Sequence, residues 1–241
     1  MKIKSYVYGE WLEGETEGKA ICDAVTGEAI GTVCSQGVDF KRVLDYGRDK
    51  GGPALRAMTL HERGLLLKNL GKYLMSKKES LYALSAKTGA TRADGWVDIE
   101  GGIGTLFAYA GVAKREFGNE LFGVEGDPER LSPNNTFAAR HILVSKRGVS
   151  VHINAFNFPI WGMLEKFAPA FLAGMPCLFK PATATSYLTE QCVRLIAESG
   201  GIIWQDLDFN AYFRLSPSRT RYAIYGPNTL SIFGVASGEK V

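Results

Sequence analysis

The sequence predicts an α/β fold with a parallel sheet, and three stretches carry that reading. Val149 to Ile153 alternates and is rich in β-branched residues, which suits a strand. Trp161, Leu164, Phe167, Phe171 and Leu172 recur at helical spacing and stop at Gly174. Pro176 to Lys180 is a short apolar run that reads as a buried strand. Two parallel strands joined by a helix make a right-handed crossover unit. A second helix is expected after it, with Leu188, Cys192, Leu195 and Ile196 on one face and a stop at Ser199-Gly200. Asn157 is a candidate cap for the first helix, with Pro159 in its first turn; Thr183 and Thr185 are candidates for the second.

Upstream, residues 4 to 33 hold short strand-like pieces broken by glycine, with hairpin turns expected at Gly9-Glu10 and Thr26-Gly27. Asp39 to Gly47 reads as a short helix. Thr59, with Glu62 three residues on, makes a capping box for a helix to Lys78, with Leu65, Leu66, Leu70, Tyr73 and Leu74 inward. A further helix runs from Lys78 to Thr88. Another spans Asp94 to Arg115, with Ile99, Ile103, Leu106, Phe107 and Ala110 inward; Gly101, Gly102 and Gly104 weaken it and mark a close helix contact. Residues 117 to 135 are turn-rich and read as a surface connection, and Phe137 to Ser145 as a strand.

Composition excludes several classes. The 241 residues are 46% hydrophobic and 22% charged, a globular balance. A net charge of +3 argues neither for nucleic acid nor for a membrane surface. The longest apolar candidate for a bilayer span is interrupted by Glu165 and Lys166. The N-terminus has two lysines but no apolar run of signal-peptide length, so a cytoplasmic location is expected. The four cysteines form no CxxC and no metal spacing with the three histidines; Cys177 and Cys192 read as small buried hydrophobes.

The ends of both crossover strands are polar: Asn154 and Asn157 after the first, Lys180 and Thr183 after the second. Ligands of parallel sheets sit past the strand C-termini, and this arrangement suits a nucleotide. The stretch HINAFNFPIWGMLEKFAPAFLAGMPCLFKPAT resembles the aldehyde dehydrogenase family, whose usual forms are PWNFP followed by KPAE. GPALRAMTLHERG, LSAKTGATRADGWVDIEGGIGTLFAYA and FAARHILVSKRGVSVHINAFNFP narrow the resemblance to dehydrogenases of phenylacetate degradation that oxidise a CoA-linked semialdehyde with NADP. It covers roughly residues 1 to 200.

The resemblance implies an N-terminal part of that fold, with an incomplete Rossmann-like sheet, flanking helices and hairpins. Residues 1–135 would form the hairpin and helical region, 136–147 an oligomerisation-type strand, 148–200 the first half of the cofactor domain, and 201–241 a divergent tail. It implies a homo-oligomer. Asn157 matches the catalytic asparagine whose amide donates to the developing oxyanion; on spacing alone it is a helix cap. Lys180 and Thr183 match cofactor-binding positions. Thr183 replaces a glutamate that would repel a 2′-phosphate, which leans the site to NADP. Ile153 and Phe156 match positions beside the nicotinamide ribose; on spacing alone they are core. Lys166 matches a proton-relay lysine, or is simply a solvated helix face.

The family's nucleophilic cysteine and base glutamate have no counterpart here, since Cys177 and Cys192 sit in the wrong elements. The 241 residues are therefore expected not to turn over aldehyde. The alternative is a non-catalytic nucleotide-binding or oligomerisation fragment. Residues 203 to 228 lose the family pattern, and two readings stand open for them: a shifted reading frame or a divergent insertion.

Overall fold

The computed structural model describes residues 1–134, 136–200, 212–215, 221–226 and 229–234, which fall in two compact units, Met1–Ile203 and Trp204–Val241. In the first unit, β1 (Lys2–Ile3), β4 (Lys19–Cys22) and β5 (Ala29–Val33) form one sheet in the order β1-β5-β4. β2 (Ser5–Val7) and β3 (Glu10–Leu12) pair as a hairpin across Tyr8 and Gly9, both at positive φ. The Thr26-Gly27 turn is present as expected, while the first turn falls one residue earlier than expected, with Glu10 already in β3.

The helices follow: α1 (Phe40–Tyr46), α2 (Gly52–Ala57), α3 (Leu60–Ser85), α4 (Arg92–Trp96) and α5 (Gly102–Glu116). One π-turn, Gly47–Gly51, links α1 to α2, and another, Val97–Gly101, links α4 to α5. The Thr59–Glu62 capping box forms, with bonds of 3.1 and 2.7 Å. The expected break at Lys78 does not: α3 runs unbroken for 26 residues. Its inward stripe also differs from the apolar count. Gly64 and Gly71 face α5, where a side chain would strike Ala113 and the Phe107 ring, while Leu65 is exposed. The glycines mark the contact face, and Leu67 rather than Leu66 fills the core beside them.

β6 (Gly123–Arg130) and β7 (Ala138–Leu143) form an antiparallel ribbon with a shifted register between Glu125 and Glu129. β6 corrects the reading of residues 117 to 135 as a connection. Its turn residues Gly126, Asp127 and Pro128 sit in the bulge, where a strand tolerates them. Next come β8 (Ser150–Ile153), α6 (Trp161–Leu172), β9 (Cys177–Lys180) and α7 (Ser186–Glu198). β8 and β9 pair in parallel, Ser150 with Cys177 through Ile153 with Lys180. In the second unit, β10 (Tyr212–Leu215), β11 (Arg221–Gly226) and β12 (Thr229–Gly234) pair antiparallel in sequence order. The rest of the 203–228 interval, for which two origins stand open, lies outside the described residues.

α6 is buried along Met163, Leu164, Phe167, Ala168, Phe171 and Leu172. Its C-terminus closes with Gly174 at φ 80°, bonds running from Gly174 N to Phe171 O (3.0 Å) and Met175 N to Ala170 O (2.9 Å). The Arg63 guanidinium, 1% exposed, lies at that end; a side chain at Gly174 would collide with it and with Ser145. Arg63 donates to Ser145 Oγ at 3.1 Å, and burial pulls its pKa down to about 10. At the other end, Ile160 N and Trp161 N donate to Asp98 Oδ1 at 3.0 and 2.8 Å. Asp98 is 4% exposed. Burial lifts its pKa to about 6, against the opposing pull of these two bonds.

Two expectations follow. Gly174→Ala forces an L side chain into a left-handed conformation, which costs about 1–2 kcal/mol before the collision with Arg63 is counted. The urea midpoint of the 241-residue chain should fall by at least that equivalent with its slope unchanged. For Asp98, a raised folded pKa means the folded chain holds the proton more tightly. Its stabilising contribution is full below the ordinary value of 3.8 and is lost as pH rises through about 6. The stability of the wild-type chain relative to Asp98→Asn should therefore fall on the order of 2 kcal/mol between pH 4 and pH 8. Urea unfolding of both chains at the two pH values checks it.

Candidate functional site at the strand ends

β8 and β9 end side by side. Asn154 N, just past β8, donates to Lys180 O at 3.1 Å, so the register holds to the last residue of both strands. Residues 154–160 then lead to α6. The alternation of β8 sorts its side chains. Ser150 and His152 turn toward α6: His152 bonds Ser150 Oγ at 2.9 Å, stacks on Phe179 at 5.1 Å, and has its pKa lowered by burial and by Lys166 of α6. Val151 and Ile153 take the other face, 54% and 76% exposed.

Ile153 and Lys180 end the two strands; Phe156 and Asn157 follow β8 within four residues and Thr183 follows β9 within three, while Lys166 lies inside α6. Ile153 pairs with Lys180 in the register and shares its face. Phe156 is 65% exposed. The core reading of Ile153 and Phe156 therefore fails: each presents apolar surface at the strand ends. Asn157 is exposed, and its carboxamide makes no hydrogen bond among the described residues. It does not cap α6, which begins four residues later and takes its cap from Asp98. Lys180 is exposed and free of ion pairs among the described residues. Thr183 and Thr185 do not cap with their side chains either; a single 3₁₀ turn, Thr183–Thr185, opens α7, and Thr183 is half-buried. Lys166 bonds Glu165 at 2.6 Å and Gly162 O at 3.0 Å, as a lysine on a partly solvated helix face does.

Asn154, named in the sequence only as a polar group past the first strand, is a further candidate for the site. It is 6% exposed, and neither atom of its amide has a partner among the described residues. Buried polar atoms nearly always find one. Its signal in the sequence was only its place, the first polar residue after a strand. The donor set at this edge, an ammonium (Lys180), a hydroxyl (Thr183) and free carboxamides (Asn154, Asn157) beside apolar surface (Ile153, Phe156), fits the ribose and phosphate chemistry of a nicotinamide dinucleotide.

The thiols do not join this set. Burial pushes both Cys177 and Cys192 up to about 12, which keeps them protonated and poorly nucleophilic at neutral pH. Among the described residues no cluster of His, Cys, Asp or Glu could hold a metal ion, and no helix is long and apolar enough to cross a membrane.

Residues 11–201 match the Aldehyde dehydrogenase family. The chain is 42% identical over 201 residues to the 3,4-dehydroadipyl-CoA semialdehyde dehydrogenase of Aromatoleum evansii, covering 83% of this chain and 39% of that protein. It is 28% identical to the glutarate-semialdehyde dehydrogenase of Pseudomonas putida, covering 82% and 39%. The chain thus spans about two fifths of the length of these curated relatives. An Escherichia coli NADP-dependent enzyme shares the fold with a TM-score of 0.69 at 24% identity, covering 83% of this chain and 41% of that one. The NADP-dependent glyceraldehyde-3-phosphate dehydrogenase of Bacillus halodurans does so with 0.65 at 21%, covering 84% and 42%. The strand-helix-strand unit, the polar edge and these matches place the chain in one group: it belongs to the aldehyde dehydrogenase family.

Proposed function

We propose that these residues form the cofactor-side part of an NADP-dependent dehydrogenase that oxidises a CoA-linked semialdehyde in the degradation of aromatic compounds. The observation that carries the reading is the edge of β8 and β9. There a free ammonium (Lys180) stands at the end of one strand, and a neutral hydroxyl (Thr183) stands where the family's glutamate would be. The 42% identity to a CoA-semialdehyde dehydrogenase supports the substrate class, and the neutral Thr183 beside Lys180 supports NADP over NAD.

In this reading Lys180 and Thr183 bind the adenosine ribose and its 2′-phosphate, a charge-assisted contact that a glutamate at 183 would repel. Asn154 adds a carboxamide beside them, and Ile153 and Phe156 lie against the nicotinamide-ribose side. When bound, NADP supplies the hydride acceptor. Asn157 donates its amide N–H to the oxygen of the aldehyde carbonyl as that oxygen gains charge, a role worth on the order of 3 kcal/mol. The 241 residues alone bind the dinucleotide without oxidising aldehyde, because no cysteine stands at the C-terminal ends of β8 and β9: Cys22 ends β4, Cys34 follows β5, Cys177 starts β9, and Cys192 is a buried thiol of α7. The protein acts in the cytoplasm and engages neither nucleic acid nor membrane.

A second reading, a nucleotide-binding or oligomerisation fragment, rests on the β6–β7 ribbon. Apart from Gly123 its residues are exposed, including Val124, Ile142 and Leu143. Such a surface suits pairing with a second copy.

Titration of the chain with NADPH, followed by tryptophan fluorescence from Trp161, tests the main reading. Saturable binding tighter than for NADH is expected. Lys180→Ala should weaken it about 10- to 100-fold, the worth of a hydrogen bond to a charged group. Thr183→Glu should weaken NADPH while sparing NADH. Absence of saturable binding, or indifference to both substitutions, overturns the proposal.

A further inference from the structure

The loop 154–160 is fixed at its two ends by different parts of the chain. Its start is held by Asn154 N donating to Lys180 O (3.1 Å). Its end is held by Asp98, whose Oδ1 accepts both Ile160 N and Trp161 N (3.0 and 2.8 Å). Asp98 lies 62 residues away in sequence, in the π-turn Val97–Gly101. π-turns inside helices frequently mark functional sites. The approach is as close as backbone allows. A side chain at Gly102 would come within 2.8 Å of Trp161 Cα and 3.0 Å of its N, and one at Gly101 within 3.4 Å of the Trp161 ring.

A cap for α6 needs no such device. A serine or asparagine at position 158 would reach the same amides locally, two and three residues on, yet that residue is Phe158, and Ile160 makes no side-chain cap bond. The chain instead buries a carboxylate from another helix, at a desolvation cost visible in its raised pKa. The consequence falls on Asn157. With the helix amides already taken, its carboxamide is exposed and without a partner among the described residues.

We propose that Asp98 is a positioning residue for the 154–160 loop: capping α6 from outside, it sets the end of that loop and leaves the Asn157 amide free for a ligand. The role as a ligand-binding loop rests on the dinucleotide reading above; the anchoring itself does not.

The test compares Asp98→Leu, which keeps the branched shape and loses the acceptor, with Asp98→Asn, which keeps an acceptor oxygen. Amide hydrogen exchange of the full 241-residue chain is the first readout. Exchange at the Ile160 and Trp161 amides should rise about tenfold or more in Asp98→Leu, the loss of one to two hydrogen bonds, while residues 164–172 and α7 keep their rates. Asp98→Asn should restore protection. The second readout is NADPH affinity, expected to fall about tenfold in Asp98→Leu and to return to within about threefold in Asp98→Asn. Unchanged exchange at Ile160 and Trp161, or a rise spread evenly over α6 and α7, overturns the proposal, as does failure of Asp98→Asn to rescue. If the wild-type chain binds no NADPH, the dinucleotide reading falls and the exchange comparison still decides the anchor. If Asp98→Leu does not fold, Gly102→Ala takes its place. It presses on the Trp161 backbone with Asp98 intact and should produce the same local rise; no local rise overturns the anchor.

Discussion

Helix α6 is held between two buried charges of opposite sign. Asp98 accepts the amides of its N-terminus, and the Arg63 guanidinium lies against its C-terminal turn at Gly174. Each charge matches the partial charge of the helix end it meets, positive at the N-terminus and negative at the C-terminus. Neither charge could be buried cheaply elsewhere, since removing an ion from water costs several kcal/mol unless a fixed dipole or hydrogen bond offsets it. At the N-terminus the two amide bonds supply that offset to Asp98; at the C-terminus Arg63 has Ser145 Oγ as its bond partner beside the turn. A shift of α6 along its axis would strand Asp98.

That anchoring reaches the site. The residues that precede α6 are Phe156, Asn157 and Phe158, and those that follow lead into β9 and Lys180. Fixing both ends of the helix therefore fixes both flanks of the strand edge. α3 supplies Arg63 and the π-turn before α5 supplies Asp98, while Gly64, Gly71 and Gly102 let these helices approach each other and α6 closely. The long α3 is thus more than packing: its N-terminal turn, ordered by the Thr59–Glu62 capping box, carries the C-terminal anchor of the helix beneath the site.

The strand-helix-strand unit was legible because it rests on periodicity and on residues with one strong local meaning. Gly174 stops α6 and the β-branched run forms β8, as expected. What was hidden depends on contacts between distant residues. Asn157 reads as a cap because asparagine before a helix usually is one; only the fold brings Asp98 to the same amides. Leu65 and Leu66 read as core because they are apolar, but the contact face of α3 is marked by its glycines, where a side chain would be too much. Ile153 and Phe156 read as core for the same reason and lie open, because a strand's two faces look alike until a helix covers one. β6 was missed because its glycine and proline, which argue for a turn, sit in a bulge.

The face of the β8–β9 pair opposite α6 bears on how well such a site can work. Parallel sheets are ordinarily covered on both faces, and here Val151 and Ile153 are open to water. Ile153 shares that face with Lys180, so solvent reaches the ammonium that would meet a phosphate. Two unit charges 4 Å apart attract by about 1 kcal/mol in bulk water and about 4 kcal/mol near a partly covered protein surface. Any layer over Val151 and Ile153, from further chain or from a second copy, would move Lys180 from the first regime toward the second. Dinucleotide affinity and coverage of this face are then linked: whatever binds one favours the other. A site with its contacts in place but its cover absent should bind weakly and respond steeply to salt, while the same residues under cover would respond less.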